Sequence, residues 1–231
     1  METHDYMPAS TLPKPLVTPD AKPIMTALVE AGVSPRLRKS IVTRVPAEIA
    51  RLASYQAFPA RPFGMVGPSG IGKSSALVAA MRQAIHAEMT AGAVKTTYRW
   101  VYWVSAAIDM KAVVSRGDWE NPRANLFWLA DWVLADTEHH VLVLDDIGME
   151  FPKGAKAVEN PTRGWTYTTE QLERMIDDLW NFEARVFWTS QRTPVEMEAL
   201  YGERLMSRLI GLAPDAMLPP GMPDLRIRGG Q

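Results

Sequence analysis

The chain has 231 residues, 47% of them hydrophobic and 22% charged, with 25 Lys and Arg against 26 Asp and Glu and no cysteine. This composition belongs to a folded globular chain long enough to bury a core by packing alone, and it excludes disulfide scaffolds, iron–sulfur clusters and zinc sites built on thiolates. A formal net charge of −1 speaks against a broad electrostatic footprint on nucleic acid, so any contact with phosphates must be local.

Residues 1–23 carry five prolines, Pro8, Pro13, Pro15, Pro19 and Pro23. They read as an extended arm, since proline removes a backbone donor and fixes φ. The start METHDYMPAS lacks the basic residues and apolar stretch of a secretory signal, and no run reaches the roughly 18 apolar residues of a membrane span. The expectation is a cytoplasmic chain with no membrane contact. A short helix is expected over 24–31, stopped by Gly32, and another over 47–55 behind Pro46. Between 34 and 51, Arg36, Arg38, Lys39, Arg44 and Arg51 face a single acid, Glu48. That excess suits DNA phosphates or an acidic partner, and equally a solvated face.

From Phe63 onward, strands alternate with amphipathic helices, the pattern of a mostly parallel sheet flanked by helices. The strands are expected at 63–66 (FGMV), 99–104 (RWVYWV), 140–145 (HVLVLD) and 185–190 (RVFWTS). The third has the composition of a strand buried on both faces. Helices are expected over 73–89, over 169–182 with Thr168 or Thr169 as cap, over 194–200 and over 203–212. Residues 148–167, with Gly148, Pro152, Gly154, Pro161 and Gly164, read as a loop or insertion. The tryptophans at 100, 103, 128, 132 and 188 fit core packing, with room for one or two to stack on a base. His139-His140 reads as a loop end before a strand more readily than as a metal pair.

Directly after the first strand stands Gly67-Pro68-Ser69-Gly70-Ile71-Gly72-Lys73-Ser74, a full match to GxxxxGK[ST] that opens a helix. Glycines let backbone N–H groups curl around phosphate oxygens, Lys73 brings a positive charge to the outer phosphates, and the Ser74 hydroxyl is a ligand for Mg²⁺. Ser75 extends the phosphate-binding run into the helix N-terminus, whose partial positive charge adds to it. The buried strand ends in Asp145-Asp146. A carboxylate at the C-terminal end of such a strand lies at the phosphate crevice, where Asp145 can hold Mg²⁺ and Asp146 can polarise a water as general base. Adjacent aspartates also cap helices or solvate loops. At the end of the last strand, Gln191 or Ser190 would orient water against the outer phosphate if that strand lies between the other two; otherwise the segment is an ordinary turn. Arg204 and Arg208 stand i, i+4 on one helix face, suited either to insertion into a neighbouring subunit or to salt bridges, for instance Glu203 with Arg208.

Taken in order, the P-loop, the DD-ended strand, the TSQ turn and the GERLMSRL helix resemble the AAA+ ATPases of the DnaC/DnaI helicase-loader and IstB transposase-helper clade, over residues 67–228. The resemblance implies a P-loop NTPase domain of AAA+ type over 61–231, behind a basic helical region over 24–60 and the arm. It implies Lys73 and Ser74 in Walker A, Asp145 and Asp146 in Walker B, Gln191 at sensor 1 and Arg208 as the arginine finger offered to a neighbouring subunit. The ending PDLRIR is similar to the clade's last strand and makes Arg226 a sensor 2 candidate. Implied too are ATP and Mg²⁺ as cofactors, an oligomer formed through the Arg208 face, and a partner that is a replicative helicase with single-stranded DNA, or a transposase.

Three features depart from the clade. Gln191 replaces the usual Asn, Asp146 stands where many members carry Glu, and about 60 residues replace a larger helicase-binding domain. A longer amide arm and a shorter carboxylate point to slow hydrolysis, and in the limit to a nucleotide-gated adaptor that scarcely turns over. Neither an NKxD guanine motif nor an LSGGQ signature occurs, which sets GTPases and ABC proteins aside.

Overall fold

The apolar runs become strands of one parallel sheet. The computed structural model describes residues 21–38, 58–121, 126–151 and 163–217. In chain order these form α1 (Ala21–Glu30), α2 (Pro35–Arg38), β1 (Gly64–Val66), α3 (Lys73–Thr90), β2 (Thr97–Tyr102), α4 (Trp103–Ser115), α5 (Phe127–Leu134), β3 (His140–Ile147), α6 (Arg163–Asn181), β4 (Arg185–Ser190), α7 (Pro194–Tyr201), α8 (Glu203–Leu212) and β5 (Asp215–Met217). Along the sheet the order is β2-β3-β4-β1-β5, with every neighbouring pair parallel. β4 therefore lies between the P-loop strand β1 and the DD-ended strand β3, as the water-orienting reading of Gln191 or Ser190 requires.

Parallel neighbours need crossovers, and the helices supply them on both faces. Side-chain alternation in the central strands shows which face each residue feeds. Val141, Val143 and Phe187 pack with α1 and α3, through Leu28, Leu77, Met81 and Ile85. Leu142, Leu144, Val186 and Trp188 pack on the other face with α4 to α8, through Met110, Leu129, Met175, Leu179 and Leu209. A strand buried on both sides cannot alternate polar and apolar residues, which is why HVLVLD reads as a continuous apolar run.

α1 spans 21–30 and is followed by Gly32 at φ 85°. Its Ile24 and Leu28, with Ala31 and Val33 beyond it, join the core shared with α3. The strand expected over 99–104 ends at Tyr102 instead, and Trp103 starts α4. Trp103 is fully buried in the core that also holds Leu142, Leu144 and Met175, so helical packing claims a residue whose local composition favours a strand. α6 begins at Arg163, inside the expected 148–167 loop, so Thr168 and Thr169 are helix-interior residues and not caps. Thr168 is buried and Tyr167 packs on the core, and tertiary burial outweighs the modest helix propensity of threonine. β5 supplies an edge strand that the hydrophobic pattern does not announce, and the PDLRIR segment lies outside the described residues, as do most of the arm and the helix expected over 47–55. Among the described residues no helix is long and apolar enough to cross a membrane.

Candidate functional site

The glycine-rich loop leaves the end of β1 and enters α3 through Gly72, which adopts φ 98° at the helix N-cap; Gly70 is also left-handed at φ 84°. Only glycine takes this conformation without steric cost, so the spacing of the motif follows from the path of the backbone. The loop is tethered to β4 by the Gly67 amide, which donates to the Ser190 carbonyl at 3.2 Å. Lys73 is buried, 5% exposed, and its ammonium donates to the Gly67 and Pro68 carbonyls at 2.8 and 2.9 Å. A buried ammonium must be paired, and here it is paired with the backbone of the loop it belongs to.

Opposite the loop, β3 does something irregular. Its register with β4 runs Leu144↔Trp188 and then Ile147↔Ser190, so Asp145 and Asp146 together face the single residue Thr189, a β-bulge. Asp146 takes φ 62°, a left-handed conformation that a residue with a side chain adopts at a cost and that clusters at functional positions. Thr189 closes the gap with its side chain. Its hydroxyl donates to Asp145 Oδ1 at 2.7 Å and accepts from the Asp146 amide at 2.9 Å. Asp145 Oδ1 also accepts from the Ser74 hydroxyl at 2.8 Å, which ties the acid strand to the first turn of α3. Burial pushes the Asp145 carboxyl up to about 6. The Thr189 hydrogen bond opposes that rise, the Asp146 charge adds to it, and Ser74 and Lys73 pull it down.

Gln191 Nε2 donates to Asp146 Oδ1 at 3.2 Å, so the sequence-expected amide and acid meet. Ser190, the alternative candidate, is fully buried; its hydroxyl donates to the Ile147 carbonyl at 2.8 Å and accepts from the Arg192 amide at 3.0 Å. That makes it a structural tie between β3 and β4. Arg192 then clamps the segment after Asp146, donating from Nε to the Gly148 carbonyl and from Nη2 to the Phe151 carbonyl at 2.5 and 2.8 Å. Within that segment Glu150 is buried and accepts a hydrogen bond from the Tyr201 hydroxyl at the end of α7. Burial raises the Glu150 carboxyl above the usual carboxylate range, and the Tyr201 hydroxyl and Trp103 indole hold it back.

Arg208 and Arg204 lie on α8 and face α6. Arg208 forms an ion pair with Asp177, and Arg204 reaches Asp177 at 2.7 Å and Glu173 at 3.3 Å. The salt-bridged arrangement weighed in the sequence is present, with α6 acids as partners in place of Glu203. Arg226 lies outside the described residues. His139 pairs with Asp136 in the turn before β3, and His140, the first residue of β3, stacks on Trp132 with ring centroids 4.3 Å apart. Trp103 and Trp188 are core residues, whereas Trp128 is 44% exposed and lies under the Arg99 guanidinium. Two residues of the site were not singled out from the sequence. Thr189 is invisible without the bulge, and Glu150 sits in a stretch whose glycines and prolines read as solvated loop.

The arrangement brings a glycine-rich loop, an ammonium and a helix N-terminus against the Asp145 carboxylate, with Asp146 next to it in the bulge and bonded to Gln191. Ser74 Oγ and Asp145 Oδ1 are hard oxygen donors 2.8 Å apart. Mg²⁺ takes one or two such protein oxygens and fills its remaining positions with phosphate and water, so this pair fits it. Among the described residues no group of three or more His, Asp or Glu side chains is placed to hold a metal by itself.

No protein-family model matches the chain, and no curated protein matches its sequence. Solved structures similar to it include a candidate primosome component from Streptococcus pyogenes serotype M3, at 21% identity over 83% of this chain and 85% of that one, with a TM-score of 0.49. A DnaC helicase loader is 16% identical over 74% of this chain and 86% of its own, with a TM-score of 0.49. DnaI is 15% identical over 89% and 93%, with a TM-score of 0.48. The fold itself is the α/β parallel sheet flanked by helices expected from the motif order, with the glycine-rich loop after β1 and β4 between β1 and β3.

Proposed function

We propose that the chain binds ATP with Mg²⁺ at the Gly67–Ser74 loop and hydrolyses it slowly, as an oligomer, in the service of loading a replicative helicase onto single-stranded DNA. The observation that carries the nucleotide reading is the hydrogen bond from Ser74 to Asp145, which joins the helix end of the P-loop to the acid end of β3. A fortuitous glycine-rich turn has no reason to meet a buried carboxylate whose charge wants a cation.

In this reading Gly67, Pro68, Ser69, Gly70, Ile71 and Gly72 wrap the phosphates, with the Ser69, Gly70, Ile71 and Gly72 amides as donors, while Pro68 has no N–H to give and the Gly67 amide is held by Ser190. Lys73 exchanges its loop carbonyls for phosphate oxygens, and Ser74 and Asp145 hold the cation while Ser75 continues the helix N-terminus. Bound Mg²⁺ neutralises charge on the phosphate oxygens. Asp146 accepts a proton from the attacking water and Gln191 orients it, the two being already in contact. Arg208 serves a neighbouring subunit after exchanging Asp177 for that subunit's phosphate, and Arg226 stands at sensor 2. The loader role rests on the GERLMSRL and PDLRIR strings, not on the geometry of the site.

The deciding experiment measures ATP affinity and turnover of wild type and Lys73→Ala, alone and with single-stranded DNA and a hexameric helicase, alongside a pull-down with slowly hydrolysed analogues. Nucleotide binding lost in Lys73→Ala, turnover stimulated by partner and ATP-dependent capture of the helicase support the proposal. ATP binding without turnover under every condition leaves a nucleotide-gated adaptor, and ATP-dependent filaments on duplex DNA point to a transposition helper. No ATP binding by wild type refutes all three.

A further inference from the structure

We infer that Thr189 is a positioning residue for the acidic pair: its one hydroxyl fixes the Asp145 carboxylate and the Asp146 backbone together, so that both acids face the P-loop in a single geometry. The inference rests on the nucleotide reading above and deepens it.

The argument begins with the bulge. In a regular parallel ladder the amides and carbonyls of adjacent strands pair evenly, and an inserted residue leaves part of the ladder open. Here two residues of β3 oppose Thr189 alone. An unmade hydrogen bond at a buried amide is costly, and the Asp146 amide finds its acceptor in the Thr189 side chain at 2.9 Å. The same oxygen keeps its proton for Asp145 Oδ1 at 2.7 Å, a short bond of the kind made to a charged acceptor.

A hydroxyl is the smallest side-chain group that accepts and donates at once. Lysine or arginine offers only donors, an ionised carboxylate only acceptors, and an amide needs more room than a fully buried position between two strands provides. The β-branch has its own use. Thr189 is fully buried in a central strand, where a branched Cβ restricts χ1 and keeps the hydroxyl on the bulge side. The left-handed backbone of Asp146 is then held from two directions, by Thr189 on its amide and by Gln191 on its carboxylate. Without the first hold, the bulge is free to relax toward ordinary β geometry, which swings the Asp146 side chain away from the loop.

The test compares wild type with Thr189→Val, which keeps the shape and removes the hydroxyl, and Thr189→Ser, which keeps the hydroxyl. Amide hydrogen exchange at Asp146, followed by NMR, reads the tether without any nucleotide, and steady-state kinetics with and without Mg²⁺ read its consequence. Thr189→Val is expected to speed Asp146 exchange about tenfold or more and to lower kcat about ten- to hundredfold, with KM within about threefold. ATP binding in EDTA, which needs only the P-loop, stays within about twofold of wild type, and Thr189→Ser restores exchange and kcat to within about threefold.

An Asp146 amide that exchanges freely in folded wild type overturns the inference without any variant. So does wild-type kcat in Thr189→Val, or equal impairment of the Val and Ser variants, which would assign the effect to the methyl group and packing. Wild type that binds no ATP overturns the proposed function and the catalytic half of this inference together, while normal wild-type turnover retained by Thr189→Val overturns this inference alone.

Discussion

The indole of Trp188 lies across Gly64, filling the space that a side chain there would need. A Cβ built on Gly64 would stand 2.1 Å from Trp188 Cε2, and the indole N–H is anchored to the Ala213 carbonyl at 3.0 Å. The ring cannot retreat without giving up that bond. Since Gly64 begins β1, the contact sets how closely the P-loop strand approaches β4.

Gly64→Ala is therefore expected to destabilise the protein by about 1 to 3 kcal/mol, the usual range for an overpacked core. For a chain of this length that is a fall in Tm of several degrees, at roughly 2–4 °C per kcal/mol. The measurement is a thermal melt, paired with nucleotide affinity, which is expected to fall as β1 shifts. An unchanged Tm would mean that the strands have slack.

Titration of Asp145 gives a second prediction. Its folded carboxyl lies near 6, above its ordinary value of 3.8. A group raised in this way binds its proton more tightly in the native state, so its contribution to stability falls as pH rises through about 4 to 6 and is flat above. The full swing is about 3 kcal/mol at most. Asp145→Asn is expected to be more stable than wild type at pH 7, to show a flatter profile between pH 4 and 6, and to bind Mg²⁺ with nucleotide more weakly. Denaturant melts at several pH values check this, and identical profiles would refute it.

Removing the Tyr201 hydroxyl strips the buried Glu150 of its principal donor. Tyr201→Phe is expected to cost about 1 to 3 kcal/mol at neutral pH. Because the Glu150 carboxyl is already raised, and losing a donor raises it further, the penalty should shrink on acidification as the carboxyl takes up a proton. Melts at pH 5 and pH 7 read the difference directly. A penalty that does not change with pH would place the loss in packing rather than in the carboxylate.

The two arginines of α8 should separate. Arg204 is 64% exposed, so Arg204→Ala changes stability by under about 0.5 kcal/mol despite its two acidic neighbours. Arg208 is 28% exposed and shares Asp177, so Arg208→Ala is expected to cost about 1 kcal/mol. If the proposed trans role holds, Arg208→Ala also lowers turnover in the oligomer while monomer nucleotide binding stays intact. Loss of nucleotide binding in this variant would refute that role.

How much of this was legible in the sequence depends on how local each signal is. The P-loop is a contiguous string whose glycines answer to backbone conformation, and Val141 to Asp145 form one unbroken apolar run with its acid at the end. Such features need no knowledge of distant residues. Trp103 reads as strand because aromatic residues favour strands locally, and its burial in the core beneath β3 and β4 is a tertiary fact. Thr189 looked like one polar letter in a turn. Its role exists only because β3 carries an extra residue opposite it, and a register shift leaves no mark in composition or periodicity. Glu150 is similar: glycines and prolines around it describe a loop, and only the arrival of Tyr201 from α7 makes that acid a buried one.

The sheet order has a consequence for how the molecule comes into being. Among the described strands β1 pairs with β4 and β5 alone, and both are encoded more than a hundred residues later. A nascent chain that has released the whole P-loop, and even β2 and β3, still holds β1 without a neighbour on either side. Non-local pairing of this kind is slow to form, because the intervening chain must be closed before any contact rewards it. On the ribosome, then, the phosphate loop should remain unformed until nearly the entire described chain has emerged, and ligand capture would come as one of the last events of folding rather than as a seed for it.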